Sequence, residues 1–324
     1  MISVTGRRDH SPVLISTIID KISPVTGIWI DGTFGAGGYT EAFLNAGANF
    51  VIGIDRDPEV QKYADHKLLK HKGNFSFIPE KFSNLCRAAR ELGYDLVDGV
   101  ILDLGVSSMQ IDSKIRGFSF RYDAPLDMRM SKTGVSAEEV LNELPESELS
   151  DIFFKYGEEK KSRLIAREIV KTRSKMKLSS TLDLVKIIEQ VVKPGPNTRI
   201  HPATRCFQAL RIYVNKELDE LKKTLVESQK ILREGGFLIV VSFHSLEDRI
   251  VKNFFRYSSN SRPRESRYFP ETEEHNCTFK IVTKKPIVPS FDERLENSRS
   301  TSAKCRIAIR TGEPYKNKIQ MAHQ

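Results

Sequence analysis

Short apolar runs separated by amphipathic stretches set the rhythm of the first hundred residues. Ile28 to Ile30, Phe50 to Ile54, Phe75 to Ile78 and Gly99 to Leu104 are the length of buried strands, and the segments between them carry apolar positions at helical spacing. Leu14, Ile15, Ile18, Ile19 and Ile22 predict a helix packed on the edge of the first strand. A second helix begins near Thr40 and runs through Leu44. Asp57-Pro58-Glu59 starts a third, with Pro58 placed where its missing N–H costs little. Leu85 to Leu92 form a fourth, which Gly93 stops. Alternating strands and helices of this kind predict a parallel α/β sheet.

From Met109 the pattern changes, and a long polar, helical region delays the next buried strand until Phe237 to Phe243. Ser136 and Glu139 form a capping box, Gly157 is expected to stop a helix after Tyr156, and Leu164, Ile165 and Ile169 mark the next apolar face. Thr181 is read as the cap of a helix reaching Lys193, followed by a loop over Pro194 to Asn197. A single long helix is then expected through Leu210, Leu218, Leu221, Leu225 and Leu232, ended by Gly235-Gly236. Arg256 to Tyr268 reads as a basic loop. Phe279 to Thr283 and Ala303 to Arg310 supply the last two strands. The resulting division is a first sheet part over 1–110, a helical insert over 111–212 and a second sheet part over 213–324.

Composition narrows the class. The 324 residues include 51 lysines and arginines against 42 acids, a formal charge of +9 that suits a polyanionic partner such as nucleic acid or the ribosome, although a lysine-rich composition alone also accounts for it. Cys86, Cys206, Cys277 and Cys305 form no Cys-x-x-Cys pair, so neither a disulfide framework nor a zinc site is expected. The first residues lack the apolar core of a signal peptide, and no run approaches the ~18 apolar residues of a membrane span. A cytoplasmic protein without membrane attachment is the expectation.

The candidate chemistry centres on Trp29 to Thr40, where a strand ends in Asp31 and a glycine cluster leads into a helix. Such a turn lets a ligand approach the main chain at a helix start rich in unpaired N–H groups. Asp55, at the end of the second strand, lies about 20 residues beyond Gly35, the offset at which an acid grips a ribose hydroxyl pair. The place of a third glycine holds Thr40, and Asp31 precedes the first, so Asp-x-x-x-Gly-x-Gly resembles the S-adenosylmethionine motif of Rossmann-like methyltransferases more than a dinucleotide fingerprint. No Gly-Lys-Ser/Thr is present for a nucleoside triphosphate. Phe82, past the third strand, is a candidate to stack on an adenine ring, with core packing as the other reading. Asp103 stands at the exit of the fourth strand, where ligands of parallel sheets sit, and His244 at the exit of the fifth. His10 is either a ligand contact or a residue of the helix-capping region.

Nine blocks in order resemble one family along nearly the whole chain: Asp31-Gly-Thr-Phe-Gly-Ala-Gly-Gly, Ile54-Asp-Arg-Asp-Pro, Leu102-Asp-Leu-Gly-Val-Ser-Ser, Arg116-Gly-Phe-Ser-Phe-Arg, Leu126-Asp-Met-Arg-Met, His201-Pro-Ala-Thr-Arg, Ser242-Phe-His-Ser-Leu-Glu-Asp-Arg, Thr283-Lys-Lys-Pro and Ser302-Ala-Lys. They are similar to the bacterial ribosomal small-subunit RNA (cytosine-N4-)methyltransferase family. The resemblance implies a Rossmann-like class I S-adenosylmethionine methyltransferase sheet with an inserted all-helical domain, acting on a decoding-centre cytosine of 16S rRNA in the small ribosomal subunit. It further implies cofactor contacts at Gly37, Gly38, Tyr39, Asp55, Phe82, Asp103 and Gln110. This chain carries Ala36 and Tyr39 where the family usually has Arg and His.

A sulfonium methyl is already activated, so no metal is expected and catalysis reduces largely to placing the acceptor in line with it. Cytosine's exocyclic amine is a poor nucleophile whose proton must be taken up. Asp127 and His244 are the candidates for that work, against a reading of Asp127 as the salt-bridge partner of Arg129 or Arg121 and of His244 as a packed rim residue. Arg199, His201, Arg205 and Arg211 are candidates for phosphate contacts. Two other functions fit parts of the pattern: an NAD-dependent dehydrogenase, because Asp55 also suits a dinucleotide, and a non-catalytic RNA-binding assembly factor.

Overall fold

The computed structural model describes residues 12–193, 201–259 and 277–315. His10, the loop over 194–197, Arg199 and the greater part of the expected basic loop lie outside them. By internal packing the chain divides into two compact units, residues 1–105 with 220–324, and residues 106–219. Cuts at 110/111 and 212/213 would fall inside helices, Ser108–Asp112 and Ala203–Asn215.

In the first unit, α1 (Ile15–Ile22), β1 (Ile28–Asp31), α2 (Gly38–Ala46), β2 (Phe50–Ile54), α3 (Gln61–Lys70), β3 (Phe75–Ile78), α4 (Leu85–Glu91) and β4 (Val97–Asp103) alternate as the apolar rhythm predicts. In the second follow α5 (Ser108–Asp112), α6 (Ala137–Glu143), α7 (Glu146–Gly157), α8 (Ser162–Arg173), α9 (Thr181–Val191) and α10 (Ala203–Asn215). The chain re-enters the first unit along α11 (Glu217–Ile231), then β5 (Leu232–Ser242), α12 (Ser245–Ser258), β6 (Phe279–Ile281), α13 (Phe291–Glu296) and β7 (Lys304–Arg310). Among the described residues no helix is long and apolar enough to cross a membrane.

The described strands form a seven-stranded sheet in the order β3-β2-β1-β4-β5-β7-β6. Strands β1 to β5 are parallel and β7 runs antiparallel between β5 and β6. This is the Rossmann-like sheet of class I S-adenosylmethionine methyltransferases. Strand order reverses between β1 and β4, the switch point at which such sheets bind ligands. Parallel strands must be covered on both faces, and the inward residues Ile30, Ile52, Val100, Leu102, Leu238 and Val240 are fully buried. Trp29 lies opposite Gly99 on β4, and its ring packs on Phe43 of α2 at 4.7 Å between centroids. A Cβ on Gly99 would overlap that ring, so the glycine is what lets the indole lie across the neighbouring strand.

The second unit is helical around its own core, in which Phe153, Ile165, Ile169, Leu184 and Leu210 are fully buried. Four expected boundaries shift there and at the return to the sheet. Ser180, not Thr181, caps α9, accepting from Asp183 N; the Thr181 hydroxyl instead donates to Tyr122 O at 2.9 Å and accepts from Ala124 N at 3.0 Å. Gly157 is the last residue of α7, and the left-handed turn falls on Glu158 at φ 50°. Gly157 is needed for close approach, because a Cβ there would stand 2.7 Å from Arg205 O.

The expected single long helix is two, broken at Lys216 with φ 53°. Asn215 draws the chain aside by donating to Met128 O at 2.7 Å and accepting from Met130 N at 2.8 Å. The second helix ends at Ile231, so Gly235 and Gly236 belong to β5, where pairing slips between Val97 and Gly99 and the residues from Arg233 to Gly235 bulge into solvent.

Gly99→Ala should destabilise the sheet unit by about 1–3 kcal/mol, the usual cost of overpacking a filled core. Urea unfolding followed by Trp29 fluorescence measures it; an unchanged midpoint would show that the indole has room to move.

Candidate functional site

Within the sheet unit the ends of β1, β2, β3 and β4 bring the predicted residues to one rim. Asp31, the last residue of β1, is fully buried. It accepts from the Thr40 hydroxyl at 2.8 Å, Thr40 N at 3.2 Å and Thr33 N at 3.4 Å, which ties the strand end to the first turn of α2. Burial raises its carboxyl to about 6, against the lowering effect of those hydrogen bonds. Gly37 caps α2 in the left-handed region at φ 75°, and a Cβ there would come 2.7 Å from the Phe34 ring. The loop is thus closed against its own phenylalanine with main chain outward, and α2 begins with N–H groups that have no carbonyl within the helix to bond.

Asp55 supports this loop from β2. Its two oxygens accept from Gly35 N and Asp57 N, both at 2.9 Å, while the residue stays partly exposed. Burial pushes its carboxyl above the ordinary value. Each oxygen keeps lone-pair capacity for a further donor. Phe82, half-buried, begins a short turn past β3 with its Cβ near Gly32; it packs on the sheet core as well as edging the rim. Tyr39 is buried, and its hydroxyl donates to Val13 O at 2.5 Å, so only its main chain can serve a ligand.

Asp103 completes the rim. Its N–H donates to the Thr33 hydroxyl at 2.6 Å, but its buried Oδ1 has no hydrogen-bond partner. Burial, with the nearby charges of Asp31 and Glu247, raises this carboxyl to about 8. An acceptor buried without a donor is costly, and here it stands at the switch point of the sheet. Donors on a ligand would relieve it. The glycine cradle, the paired acceptor capacity of Asp55 and this open oxygen together fit an adenosine compound that also carries an amine.

The expected proton-handling residues are engaged elsewhere. In the helical unit Asp127 accepts from Arg129 Nε at 2.9 Å and Nη2 at 2.8 Å, and from Arg129 N at 2.9 Å. Burial works against it, yet these bonds and the charges of Arg129 and Arg116 hold its carboxyl below the ordinary value, which makes it a weak proton acceptor. In the sheet unit His244 caps α12: its Nδ1 accepts from Glu247 N at 3.4 Å, and Glu247 accepts from Phe243 N at 2.8 Å and His244 N at 3.3 Å. His244 Nε2 lies 3.1 Å from Glu247 Oε1, out of hydrogen-bond alignment. Gln110 falls in the helical unit, where its Oε1 accepts from Ser107 N at 3.0 Å in a capping box on α5.

Of the expected phosphate contacts among the described residues, Arg211 is firmly paired, whereas Arg205 and His201 are held more loosely. Arg211 is paired with Glu217 at 2.9 and 3.0 Å, Arg205 lies 3.8 Å from the buried Glu159, and His201 contacts Glu189 at 3.1 Å. The supporting residues that the motifs did not single out are Thr33, Thr40 and Glu247. Thr40 occupies the place of the missing third glycine, and its value to Asp31 shows only once the turn brings them together. Glu247 completes a capping box whose first residue is a histidine, an unusual cap that sequence patterns pass over.

Because the folded state holds a proton on Asp103 up to about pH 8 while an unfolded aspartate releases it near 4, stability should decline as pH rises through that window. The slope is at most about 1.4 kcal/mol per pH unit for one proton. Asp103→Asn should flatten this slope in urea unfolding between pH 5 and 8; a parallel pH profile in the variant would mean the carboxyl is ionised in the folded protein.

The sequence profile of the MraW methylase family matches residues 7–311. The chain is 46% identical over 311 residues to the ribosomal RNA small subunit methyltransferase H of Cereibacter sphaeroides, covering 96% of this chain and 92% of that relative. It is 48% identical over 308 residues to the protein of the same name from a Jannaschia species, covering 94% and 92%. With the sheet order, the glycine loop and the acids at the switch point all in their expected places, the chain belongs to the MraW methylase family.

Proposed function

We propose that this protein is an S-adenosylmethionine-dependent methyltransferase that modifies the exocyclic N4 amine of a cytosine in the decoding centre of 16S rRNA, in the cytoplasm. Membership of the family supports the methyl transfer, and the names of its relatives support the small-subunit RNA. The observation that carries the reading is the buried Asp103 Oδ1 without a partner, an acceptor that awaits an N–H donor at the exit of β4.

S-adenosylmethionine supplies an already activated methyl group. Asp55 is assigned to its ribose hydroxyls, Phe82 to its adenine face, and the main chain of Gly37, Gly38 and Tyr39 to the loop side. Asp103, whose buried Oδ1 has no partner, is assigned to take an N–H of the bound ligand at the exit of β4. Asp127 and His244 are assigned to holding Arg129 and the start of α12 in place, the parts their contacts give them. The cysteine nearest Asp103, Cys305 on β7, is fully buried, and burial with the charge of Asp103 pushes its thiol up, which favours an amine acceptor over a pyrimidine carbon that needs a thiolate nucleophile.

Purified protein with labelled S-adenosylmethionine should methylate small subunits that lack the modification, and nucleoside mass mapping should find one N4-methylated cytidine. Cofactor binding without any transfer would favour a non-catalytic assembly factor, and a methyl group on another base would overturn the assignment. Asp55→Ala should weaken cofactor binding by about 1.5–3 kcal/mol, the range for hydrogen bonds to a charged group. Isothermal titration showing wild-type affinity would remove Asp55 from the site.

A further inference from the structure

Between residues 160 and 177 eight lysines and arginines face a single acid, Glu168. On α8 the apolar residues Ile165, Ala166 and Ile169 are fully buried, and Arg163, Arg167 and Lys171 are exposed. These three recur every fourth residue, so they form one stripe about 12 Å long at 1.5 Å per residue, turned away from the buried face.

Their partners are weak. Arg167 stands 3.8 Å from Glu146 with both side chains well exposed, Lys171 pairs with Glu168 at 2.9 Å while 63% exposed, and Arg163 has no acid partner among the described residues. Exposed pairs of this kind contribute about 0–1 kcal/mol, so a denser anion displaces them readily. On α10, by contrast, Arg211 is only 15% exposed and is bound to Glu217 of its own unit at 2.9 Å.

We propose that the exposed stripe of Arg163, Arg167 and Lys171 on α8 is a surface by which the helical unit grips the phosphate backbone of its RNA substrate. The proposal rests on the reading that the substrate is ribosomal RNA. A row of long cations over a solvated face matches a line of phosphates in charge and reach. A membrane is the poorer match, because surface-lying helices need a free apolar face and that of α8 is spent in the core of the unit.

The test uses the full chain carrying Arg163→Gln, Arg167→Gln and Lys171→Gln together, with protein-free small-subunit rRNA and with assembled subunits. The log–log salt dependence of RNA binding should fall by about 2, at about 0.7 for each phosphate no longer neutralised. KM for RNA should rise, while kcat at saturating RNA, cofactor affinity and thermal midpoint stay at wild-type values. Arg163→Lys with Arg167→Lys should keep the wild-type slope, which separates loss of charge from loss of fold.

A wild-type slope and KM in the triple glutamine variant would overturn the proposal. So would weakened binding to subunits with an unchanged slope on protein-free rRNA, which would identify a ribosomal protein as the partner. If the wild-type protein binds RNA but transfers no methyl group, the catalytic reading fails while the salt slope still decides the fate of the stripe.

Discussion

A carboxylate without solvent holds the sheet unit's rim together. Asp31, fully buried at the end of β1, survives there because the Thr40 hydroxyl and two main-chain N–H groups converge on it. Those bonds fix where α2 begins, and with it the glycine loop that Asp55 braces from the other side through Gly35 N. Burying an acid in this way costs stability unless its hydrogen bonds are complete, so the loop is set by the one arrangement that satisfies it. The switch point of the sheet then inherits a rigid edge onto which a ligand can dock without first ordering the chain.

Asp103 is the exception that gives the rim its chemistry. Two acids near it are saturated: Asp31 by threonine and main chain, Glu247 by the start of α12. Their charges add to the effect of burial in raising Asp103, and its Oδ1 is left open. Structural acids in this unit therefore do two things at once, shaping the turns and tuning the group between them. A local cost in stability at such a place is what a binding site requires.

In the helical unit charge is sorted by burial. Arg211 and Glu217 are both largely removed from water and pair at 2.9 Å, and Asp127 and Arg129 close a fork of parallel bonds. Partly buried charges need such partners. On α8 the solvent screens each cation, so the stripe can remain in excess and keep its charge for an external partner. The same residue types therefore do structural work on α10 and carry surplus charge on α8.

The sequence determined the periodic features. Apolar runs and helical spacing are properties of neighbouring residues, so β1 to β5, the helices between them and the change of pattern after Met109 were readable from the order of residues alone, as was the clustering of Asp31, the glycines, Asp55 and Asp103 at strand ends. Tertiary structure decided whatever depends on which partner a side chain finds. The break at Lys216 comes from Asn215 reaching the main chain of Met128 and Met130, more than eighty positions away. Tyr39 turns its hydroxyl to Val13, Asp127 is committed to Arg129, and His244 serves a helix start rather than standing free. A motif names a residue that can do chemistry; only packing and pairing determine whether its polar atoms are still available, because hydrogen-bond capacity is finite and buried groups must use it.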